Sequence, residues 1–429
     1  MRVLIVSAVF PPEPMVSAQT SAAIAKELSR CGHSVRIFAP FPSRPQGRLY
    51  KGYTRSLYST KMMDDGCVLT SCFGTFSPSS TMLSRFAENL SFGISSGLRT
   101  LLCKRPDVIY SNTWPIFATG IVAIIARLRG IPLVLSVQDA YPESLESQER
   151  SSTRQWLYRL LKRMDAATSR SAAQIVVISD RFRRLYAEER GIEADRLHVI
   201  PNWGKEDFIA TDTSRALAFR RRLGIADDAF VAVYAGNVGM ASNAEMLVDV
   251  FDRLKNHRKL FLVIAGDGSR LPTCREEIER KQLDNVIIHS PWKVEETGSV
   301  LQMADVLLLP TKRSQSLSSI PSKLISYLLS ARPVIAAVLP ESDTALTLLA
   351  TGAGWVVDPD SSEIIAHAII RASGRSKDTL NQMGAAGREY ALHNLTREFT
   401  LPRVLHVILK AAGFQGVKEK LPQGVSLSR

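Results

Sequence analysis

One pattern occurs twice in this chain and limits what it can fold into. Short apolar runs rich in Val and Ile alternate with longer amphipathic stretches, first over residues 1–201 and again over residues 228–394. Strands buried on both faces are continuously apolar, and amphipathic stretches between them are typical of crossover helices on a parallel sheet. The sequence therefore predicts two α/β domains. We expect them to face a central cleft suited to a phosphorylated ligand, because strand ends and helix N-termini bind anions.

The pattern also sets approximate bounds for the elements and domains. We predict domain boundaries at residues 1–205 and 206–395, a separate helix over 396–412 and a disordered tail over 413–429. Predicted strands cover residues 3–6, 35–39, 67–71, 108–110, 133–137, 175–178, 197–200, 231–235, 260–265, 286–289, 306–309, 334–337 and 355–357. Predicted helices cover residues 17–30, 83–102, 116–129, 154–171, 243–255, 270–281, 321–330, 361–372 and 377–391.

Composition narrows the class of protein. The 429 residues, 45% of them hydrophobic, suit two globular domains of ordinary size, and the net charge of +13 attracts polyanions. No basic cluster is interleaved with aromatic residues as a nucleic-acid platform requires, so no nucleic-acid partner is predicted. The five scattered cysteines are typical of reduced thiols in a cytoplasmic protein. The longest apolar helix candidate is shorter than the roughly 20 residues that span a bilayer, so we predict a soluble or peripheral protein.

Two predicted helices have pronounced apolar stripes. One stripe follows steps of three and four over residues 83–101, and the other lies on a basic helix over residues 154–170. A basic amphipathic helix can lie on an anionic membrane surface. The alternative, which we favour from the sequence, is that both apolar faces pack on the sheet.

An ordered set of short motifs resembles the glycosyltransferases of family GT4. The likeness extends from residue 1 to about residue 412, and the nearest resemblance is to the branch that contains a colanic-acid fucosyltransferase and an O-antigen N-acetylfucosamine transferase. The motifs are PPE at 11–13, GHSV at 32–35, SVQDAYPES at 136–144, VIS at 177–179, VIPNW at 199–203, YAGNVG at 234–239, IAGDG at 264–268, ADVLLLP at 304–310 and PSKL at 321–324.

The resemblance implies a fold and an activity. The fold would be GT-B, with two Rossmann-like domains, of which residues 1–205 bind the acceptor and residues 206–395 bind the nucleotide sugar. The helix over 396–412 would cross back to the first domain. The activity would be retaining, would need no metal or other cofactor, and would use a UDP- or GDP-linked sugar as substrate. The acceptor would be a lipid-diphosphate-linked saccharide, used in surface polysaccharide synthesis by a cytoplasmic protein that is peripheral to the inner face of the plasma membrane.

A metal-free transferase must neutralise the departing diphosphate with cations and backbone donors. Ser322 and Lys323 begin a helix after Pro321, so an ammonium and free N–H groups are available there. We predict that Lys323 is catalytic and that Ser322 binds the donor. An ordinary proline-started helix with a solvated lysine is the alternative from the sequence alone.

Further donor-binding candidates follow the strands of the second half. Lys312 and Arg313 come after residues 306–309, and Arg270 comes after a Gly-Asp-Gly turn. By resemblance, the loop with Asn237 and Gly239 approaches the donor phosphates, and Trp292 belongs to a candidate wall for the nucleobase.

The remaining site candidates lie in the predicted acceptor-binding domain, residues 1–205. By resemblance, Ser17 marks the first strand-to-helix loop and Gln138 contacts the donor sugar, and both are donor-binding candidates. Asp139 and Glu143 are the predicted catalytic carboxylates, one of which would orient or deprotonate the acceptor hydroxyl. Helix or loop capping is the alternative for both.

No metal site is predicted. Residues 358–360 spell Asp-Pro-Asp, but Asp360 and Glu363 have the spacing of a capping box, which we favour. The seven histidines form no zinc-binding pattern.

The chain departs from the family at positions that bear on activity. Ser318 and Ser326 stand where many relatives have a glutamate pair near the donor ribose and sugar, and Ser326 is kept as a donor-binding candidate. Ser17 begins a loop that usually contains glycine. Asn237 and Asn243 stand where many relatives have cations. Compensation would have to come from Lys312, Arg313 or Lys323, and a catalytically silent nucleotide-sugar-binding partner of another transferase stays open as the alternative.

Overall fold

The computed structural model describes residues 1–78, 81–112, 116–140, 142–143, 152–204, 213–240, 242–317 and 320–414. They divide into two compact units. The first comprises Met1–Asn202 and the described residues from Thr400 onward, and the second comprises the described residues of Trp203–Phe399. The predicted boundary at residue 205, and all of the predicted tail except residues 413 and 414, lie outside the described residues.

The first unit is built on a sheet of eight described strands in the order β3-β4-β2-β1-β5-β6-β7-β8, parallel except for the antiparallel β3. Its strands are β1 (Arg2–Ser7), β2 (Ser34–Pro40), β3 (Tyr58–Met62), β4 (Val68–Cys72), β5 (Val108–Asn112), β6 (Leu133–Val137), β7 (Gln174–Val177) and β8 (Leu197–Val199). Its helices, in chain order, are α1 (Val16–Arg30), α2 (Met82–Leu102), α3 (Ile116–Leu128), α4 (Ser152–Ser171) and α5 (Asp180–Arg190).

The second unit is built on a parallel sheet in the order β11-β10-β9-β12-β13-β14. Its strands are β9 (Phe230–Ala235), β10 (Leu260–Ala265), β11 (Val286–His289), β12 (Val306–Pro310), β13 (Val334–Ala337) and β14 (Gly354–Val357). The helices that follow in the chain are α6 (Thr213–Arg222), α7 (Met246–Arg253), α8 (Leu271–Lys281), α9 (Thr297–Gln302), α10 (Lys323–Leu329), α11 (Asp343–Thr351), α12 (Ser362–Ser373), α13 (Lys377–Asn394) and α14 (Arg397–Ala411).

Alternate residues of each strand in the second unit enter opposite layers of the core. Val231 and Val233 belong to one buried cluster, whereas Ala232 and Tyr234 belong to the other. Both faces of the sheet are therefore covered, as the unbroken apolar runs predicted.

The predicted fold class of two parallel α/β domains is confirmed, and every predicted strand is present with small differences at its ends. Five elements were not predicted: β3, α5, α6, α9 and α11. All residues of β3 are exposed, and α5 is largely polar, so neither has the apolar periodicity on which the prediction relied.

The expectation that the apolar stripe of residues 83–101 packs on the sheet is wrong. Leu83 and Leu98 on α2 are 81% and 54% exposed. Among the described residues, no helix combines the length and apolarity needed to cross a membrane.

Candidate functional site

The donor-binding residues predicted in the second unit gather at one edge of its sheet. The strand order reverses between β9 and β12, and ligands of such sheets bind outside the carboxyl ends of the strands at this switch point. Because all six strands are parallel, the loops that follow them lie at the same edge. These loops carry Asn237 and Gly239 after β9, Arg270 after β10, Trp292 after β11, and Lys312 and Arg313 after β12.

Backbone hydrogen bonds join the loops after β9 and β10. The N–H of Gly236 donates to Ala265 O (2.8 Å), and the N–H of Val238 donates to Asp267 O (2.9 Å). Gly266 has φ +149°, and a Cβ there would lie 1.9 Å from Gly236 O. Only glycine fits at position 266, because a side chain would push the two loops apart.

Lys323 lies directly against the end of β9. A Cβ on Gly236 would lie 2.2 Å from Lys323 Cε, and the ammonium is 5.2 Å from the centroid of the Tyr234 ring. Burial lowers the pKa of Lys323 to about 8. No carboxylate pairs with this ammonium among the described residues. A half-buried cation without a counter-ion attracts an anion, because a bound anion restores the charged state that burial disfavours.

Tyr327 holds the helix of Lys323 against β9. Its hydroxyl accepts from the Ala235 N–H (2.9 Å) and donates to Ala235 O (3.2 Å). Ser322, at the N-cap position of α10, is exposed and its side chain makes no capping hydrogen bond, while Ser326 is half-buried. The N–H of Leu324 donates to Pro321 O (3.0 Å). The first turn of α10 therefore offers fewer free amides than the sequence suggested, and Lys323 is the main feature for an anion at this edge.

Two of the other predicted cations already have carboxylate partners. Arg270 Nε lies 3.3 Å from Glu245 Oε1. Arg313 pairs with Asp358 at 3.0 Å and also with Asp360. Lys312 is half-buried, and no ion pair involves it among the described residues. Lys323 and Lys312 are therefore the cations best able to replace those missing at positions 237 and 243.

The predicted capping box at Asp360 and Glu363 is wrong. The hydroxyl of Ser361 caps α12 by accepting from the Ile364 N–H (3.2 Å). Asp360 is used instead in the ion pair with Arg313. No group of three metal-ligating side chains occurs in the described part of the chain.

Trp292 is the last member of the predicted donor set in this unit, and Ser318 is one position of the missing glutamate pair. Trp292 packs against the core, and its buried indole N–H has no partner among the described residues. Its role beside the nucleobase stays a prediction. Ser318 lies outside the described residues.

Three of the four site residues predicted in the first unit meet around a cavity of about 190 Å³ at the carboxyl ends of β1, β5 and β6. Ser17, Gln138 and Asp139 line it together. Asn112 at the end of β5 also lines it, and its side-chain amide donates to Ser17 O (3.2 Å) and to Ser21 Oγ (3.0 Å). These bonds fix the start of α1 beside the cavity.

Asp139 and Gln138 present unsatisfied polar groups at this cavity. Burial raises the pKa of Asp139 to about 6, and no hydrogen bond to its carboxylate occurs in the described part of the chain. Gln138 Nε2 donates to Ser136 Oγ (2.9 Å), while its buried Oε1 has no partner among the described residues. Buried polar groups rarely stay unpaired, so both are suited to a ligand.

Glu143 is instead held by a buried arginine. Arg190 is fully buried, and its Nη2 lies 2.6 Å from Glu143 Oε1 while its Nε lies 2.8 Å from Asp165 Oδ2. Burial alone would lower the pKa of Arg190, but the two carboxylates more than offset this and raise it. The pairing favours a role for Glu143 in positioning the segment after β6 over a role in proton transfer. The sequence offered no signal for this network, because its members are distant in the chain.

We predict that replacing Arg190 with methionine lowers the free energy of unfolding by about 3–5 kcal/mol, because two carboxylates lose their shared buried partner. Urea unfolding followed by tryptophan fluorescence measures this change. Replacing Arg183 with methionine is the matched control, since its ion pair with Asp180 is exposed and is worth about 0–1 kcal/mol. An Arg190→Met variant as stable as the control would show that the pairing contributes little.

Glu13, the last residue of the PPE motif at 11–13, has a structural role. Its buried carboxylate accepts from the backbone N–H of Ser43 (2.9 Å) and of Arg44 (2.8 Å), and the Arg44 side chain pairs with Glu88. Burial raises the pKa of Glu13 to about 7 despite these bonds. Glu13 therefore ties the loop after β1 to the loop after β2 at the rim of the cavity, a role that the sequence did not reveal.

Family models match both halves of the chain. Residues 17–203 match the family described as glycosyl transferase 4-like domain, and residues 217–390 match the family described as glycosyl transferases group 1. Together they span most of the chain. The chain belongs to the glycosyltransferases of family GT4 and is an enzyme of that class with the GT-B fold.

Curated relatives agree with this assignment. The protein described as colanic acid biosynthesis glycosyl transferase WcaI of Escherichia coli (strain K12) is 23% identical over 95% of this chain and 100% of its own length. The protein described as glycosyltransferase WbjE of Pseudomonas aeruginosa is 24% identical over 63% of this chain and 67% of its own length.

Solved structures support the fold. Anabaena HepE, in complex with UDP and glucose, superposes with a TM-score of 0.69 at 16% identity, over 95% of this chain and 98% of its own. WaaG, a glycosyltransferase involved in lipopolysaccharide biosynthesis, superposes with a TM-score of 0.68 at 15% identity, over 95% of this chain and 99% of its own. At these identities the likeness establishes the fold alone.

Proposed function

We propose that this glycosyltransferase is retaining and metal-independent, and that it moves a sugar from a nucleotide diphosphate to a lipid-linked acceptor in surface polysaccharide synthesis. The second unit binds the donor and the first binds the acceptor. The observation that carries the proposal is Lys323, a half-buried ammonium without a carboxylate partner in the described part of the chain, at the switch point of the second sheet.

Lys323 supplies the charge that the reaction needs. Breaking the bond between the sugar and the diphosphate leaves negative charge on the departing phosphate oxygen, and a preorganised cation stabilises it. Lys312 adds a second positive charge from the loop after β12. The loop after β9 lets the diphosphate approach the backbone, because Gly239 has no side chain. No divalent ion is required for any of these contacts.

Asp139 accepts the proton of the acceptor hydroxyl. A carboxylate whose pKa is raised to about 6 by burial is still ionised at neutral pH and is basic enough to accept a hydroxyl proton. Gln138, whose buried Oε1 has no partner among the described residues, is the adjacent group for a sugar hydroxyl.

The relatives suggest the substrates. HepE is described in complexes with UDP and with UDP-glucose, so UDP is the first nucleotide to test, with GDP as the second. WcaI is described by a role in colanic acid biosynthesis, which supports surface polysaccharide synthesis. The fucosyltransferase branch rests on the motifs alone. An acceptor of this class would place the chain at the inner face of the plasma membrane as a peripheral cytoplasmic protein.

A thermal-shift screen of UDP- and GDP-sugars, including those of fucose and N-acetylfucosamine, identifies the donor. At a ligand concentration of a hundred times Kd, binding stabilises a protein by about 2.7 kcal/mol, which raises Tm by about 5–10 °C for a domain of this size. The hit then enters a transfer assay with lipid extracts.

We expect transfer to be unchanged by EDTA, because Lys323 and Lys312 take the place of a metal. The anomeric configuration of the product, measured by NMR, should match that of the donor. Activity that is lost with EDTA and restored by Mg²⁺ would refute the metal-free mechanism, and an inverted product would refute retention. Saturable nucleotide binding without turnover on any acceptor would favour the silent binding partner.

A further inference from the structure

One face of helix α2 turns large apolar side chains toward solvent. They recur at steps of three and four residues and therefore share one face of the helix. Their exposed fractions range from 43% to 81%, which no packing on the sheet would allow. The residues are Leu83 (81%), Phe86 (43%), Ile94 (48%), Leu98 (54%) and Leu101 (47%).

The other faces of α2 explain this orientation. Ser96 and Thr100 are fully buried there. A Cβ on Gly93 would lie 2.7 Å from Ala118 Cα, and one on Gly97 would lie 2.6 Å from Ile121 Cγ2. The small residues let α2 pack closely on α3, and this close packing leaves the leucine stripe outside.

The apolar surface continues onto the neighbouring helices. Helix α3 packs against both α2 and α4, and it exposes Ile124 (60%) and Leu128 (76%). Helix α4 exposes Trp156 (65%). We refer to these exposed apolar residues of α2, α3 and α4 together as the α2–α4 face. A monomeric soluble protein rarely exposes so many large apolar side chains on adjacent elements.

The exposed charge around the α2–α4 face is positive. The three helices contain only two carboxylates, Glu88 and Asp165. Both are ion-paired with arginine, and their side chains are only 12% and 14% exposed. The exposed charged residues on these helices are all basic: Arg127, Arg159, Arg163 and Arg170.

We infer that the α2–α4 face docks on the surface of an anionic lipid bilayer. The apolar side chains would enter the boundary between head groups and acyl chains, and the arginines would bind the lipid phosphates. A second copy of the chain is a poor occupant, because two such faces would bring like charges together. The inference deepens the proposed use of a lipid-linked acceptor. Its test needs no donor or turnover, so its failure and the failure of the proposed function are distinguishable.

The test is flotation of the full chain with vesicles of phosphatidylcholine, alone or mixed with phosphatidylglycerol. We expect binding to the mixed vesicles and much weaker binding to phosphatidylcholine alone. The variant Ile94→Asn with Leu98→Asn should bind the mixed vesicles about tenfold to a hundredfold more weakly, because two apolar insertions are lost. The variant Arg159→Gln with Arg163→Gln should lose about fivefold per arginine.

Matched changes on the second unit provide the control. Leu346 and Leu349 on α11 are 44% and 61% exposed, and replacing both by asparagine should leave flotation unchanged. All substituted side chains are exposed, so each variant should keep the melting temperature and the nucleotide-induced thermal shift of the parent.

Three results would overturn the inference. They are a parent protein that floats with neither kind of vesicle, α2 variants that float as well as the parent, and a dimer in sedimentation that dissociates only in the α2 variants. The last result would identify a second copy as the occupant.

Discussion

Replacing Lys323 with methionine should lower kcat by about 10²- to 10³-fold, the loss typical when one preorganised stabilising group is removed. Methionine keeps most of the length of the side chain but removes the charge that would stabilise the departing phosphate. The stability of the protein should be unchanged or increased. Steady-state transfer kinetics and thermal unfolding measure the two effects.

The stability effect follows from the pKa. Burial lowers the pKa of Lys323 to about 8 from an ordinary value of 10.5, so the fold disfavours the ammonium. The resulting penalty is fully present below about pH 8 and is relieved as the pH rises from about 8 toward 10.5. Methionine removes the penalty at neutral pH. A buried cation that lowers the stability of the ligand-free protein is expected at a site that binds an anion.

Two further variants test the role of this charge. Lys377 is exposed on the same unit, and Lys377→Met should leave kcat unchanged. In the parent, kcat/KM should fall as the pH rises through about 8, because the free enzyme loses the ammonium. Lys323→Arg stays charged, and its remaining activity should not show this decline. Full activity of Lys323→Met would remove Lys323 from the mechanism.

Replacing Asp139 with asparagine should lower turnover by about 10²- to 10⁴-fold, because the acceptor hydroxyl loses its proton acceptor. Burial raises the pKa of Asp139 to about 6 from an ordinary value of 3.8. The parent kcat/KM should therefore fall as the pH falls through about 6, and this decline should be absent from the residual activity of Asp139→Asn. Rates across pH 5–8 measure both effects.

The stability of the two carboxylate variants should separate their roles. The fold disfavours ionised Asp139, with a penalty that is fully present above about pH 6, so Asp139→Asn should not destabilise the protein. Glu143→Gln should destabilise it, because the buried Arg190 loses the negative charge of one of its two nearest carboxylate partners. Asp64→Asn, at an exposed turn, is the control for both. Normal turnover in Asp139→Asn would exclude Asp139 as the base.

Much of the second-unit site follows from local sequence. Continuous apolar runs predict buried parallel strands, and parallel strands bring every following loop to one edge, so Asn237, Lys312 and Lys323 were predictable as neighbours. The sequence did not predict which charged side chains at that edge have ion-pair partners. Arg313 looks as available as Lys323 in the sequence, and only the structure shows its carboxylate partners on a distant loop.

In the first unit, too, local sequence predicted the strands but not the ion pairs. The strand that precedes Gln138 and Asp139 was predicted with its observed bounds. The partner of Glu143 was not, because Arg190 lies on α5, a polar helix without apolar periodicity. The outward stripe of α2 was also missed, since periodicity shows that one face of a helix is apolar but does not show which face meets the sheet.

The sequence by itself determined the order and type of the main elements, the two α/β units and the short list of residues at their strand ends. These depend on local periodicity, and in parallel sheets every strand delivers its loop to the same side. The tertiary structure decided which charges are neutralised, which stay available to a ligand, and which apolar face remains in contact with water. Those properties depend on side chains far apart in the chain that only the packed fold brings within a few ångströms.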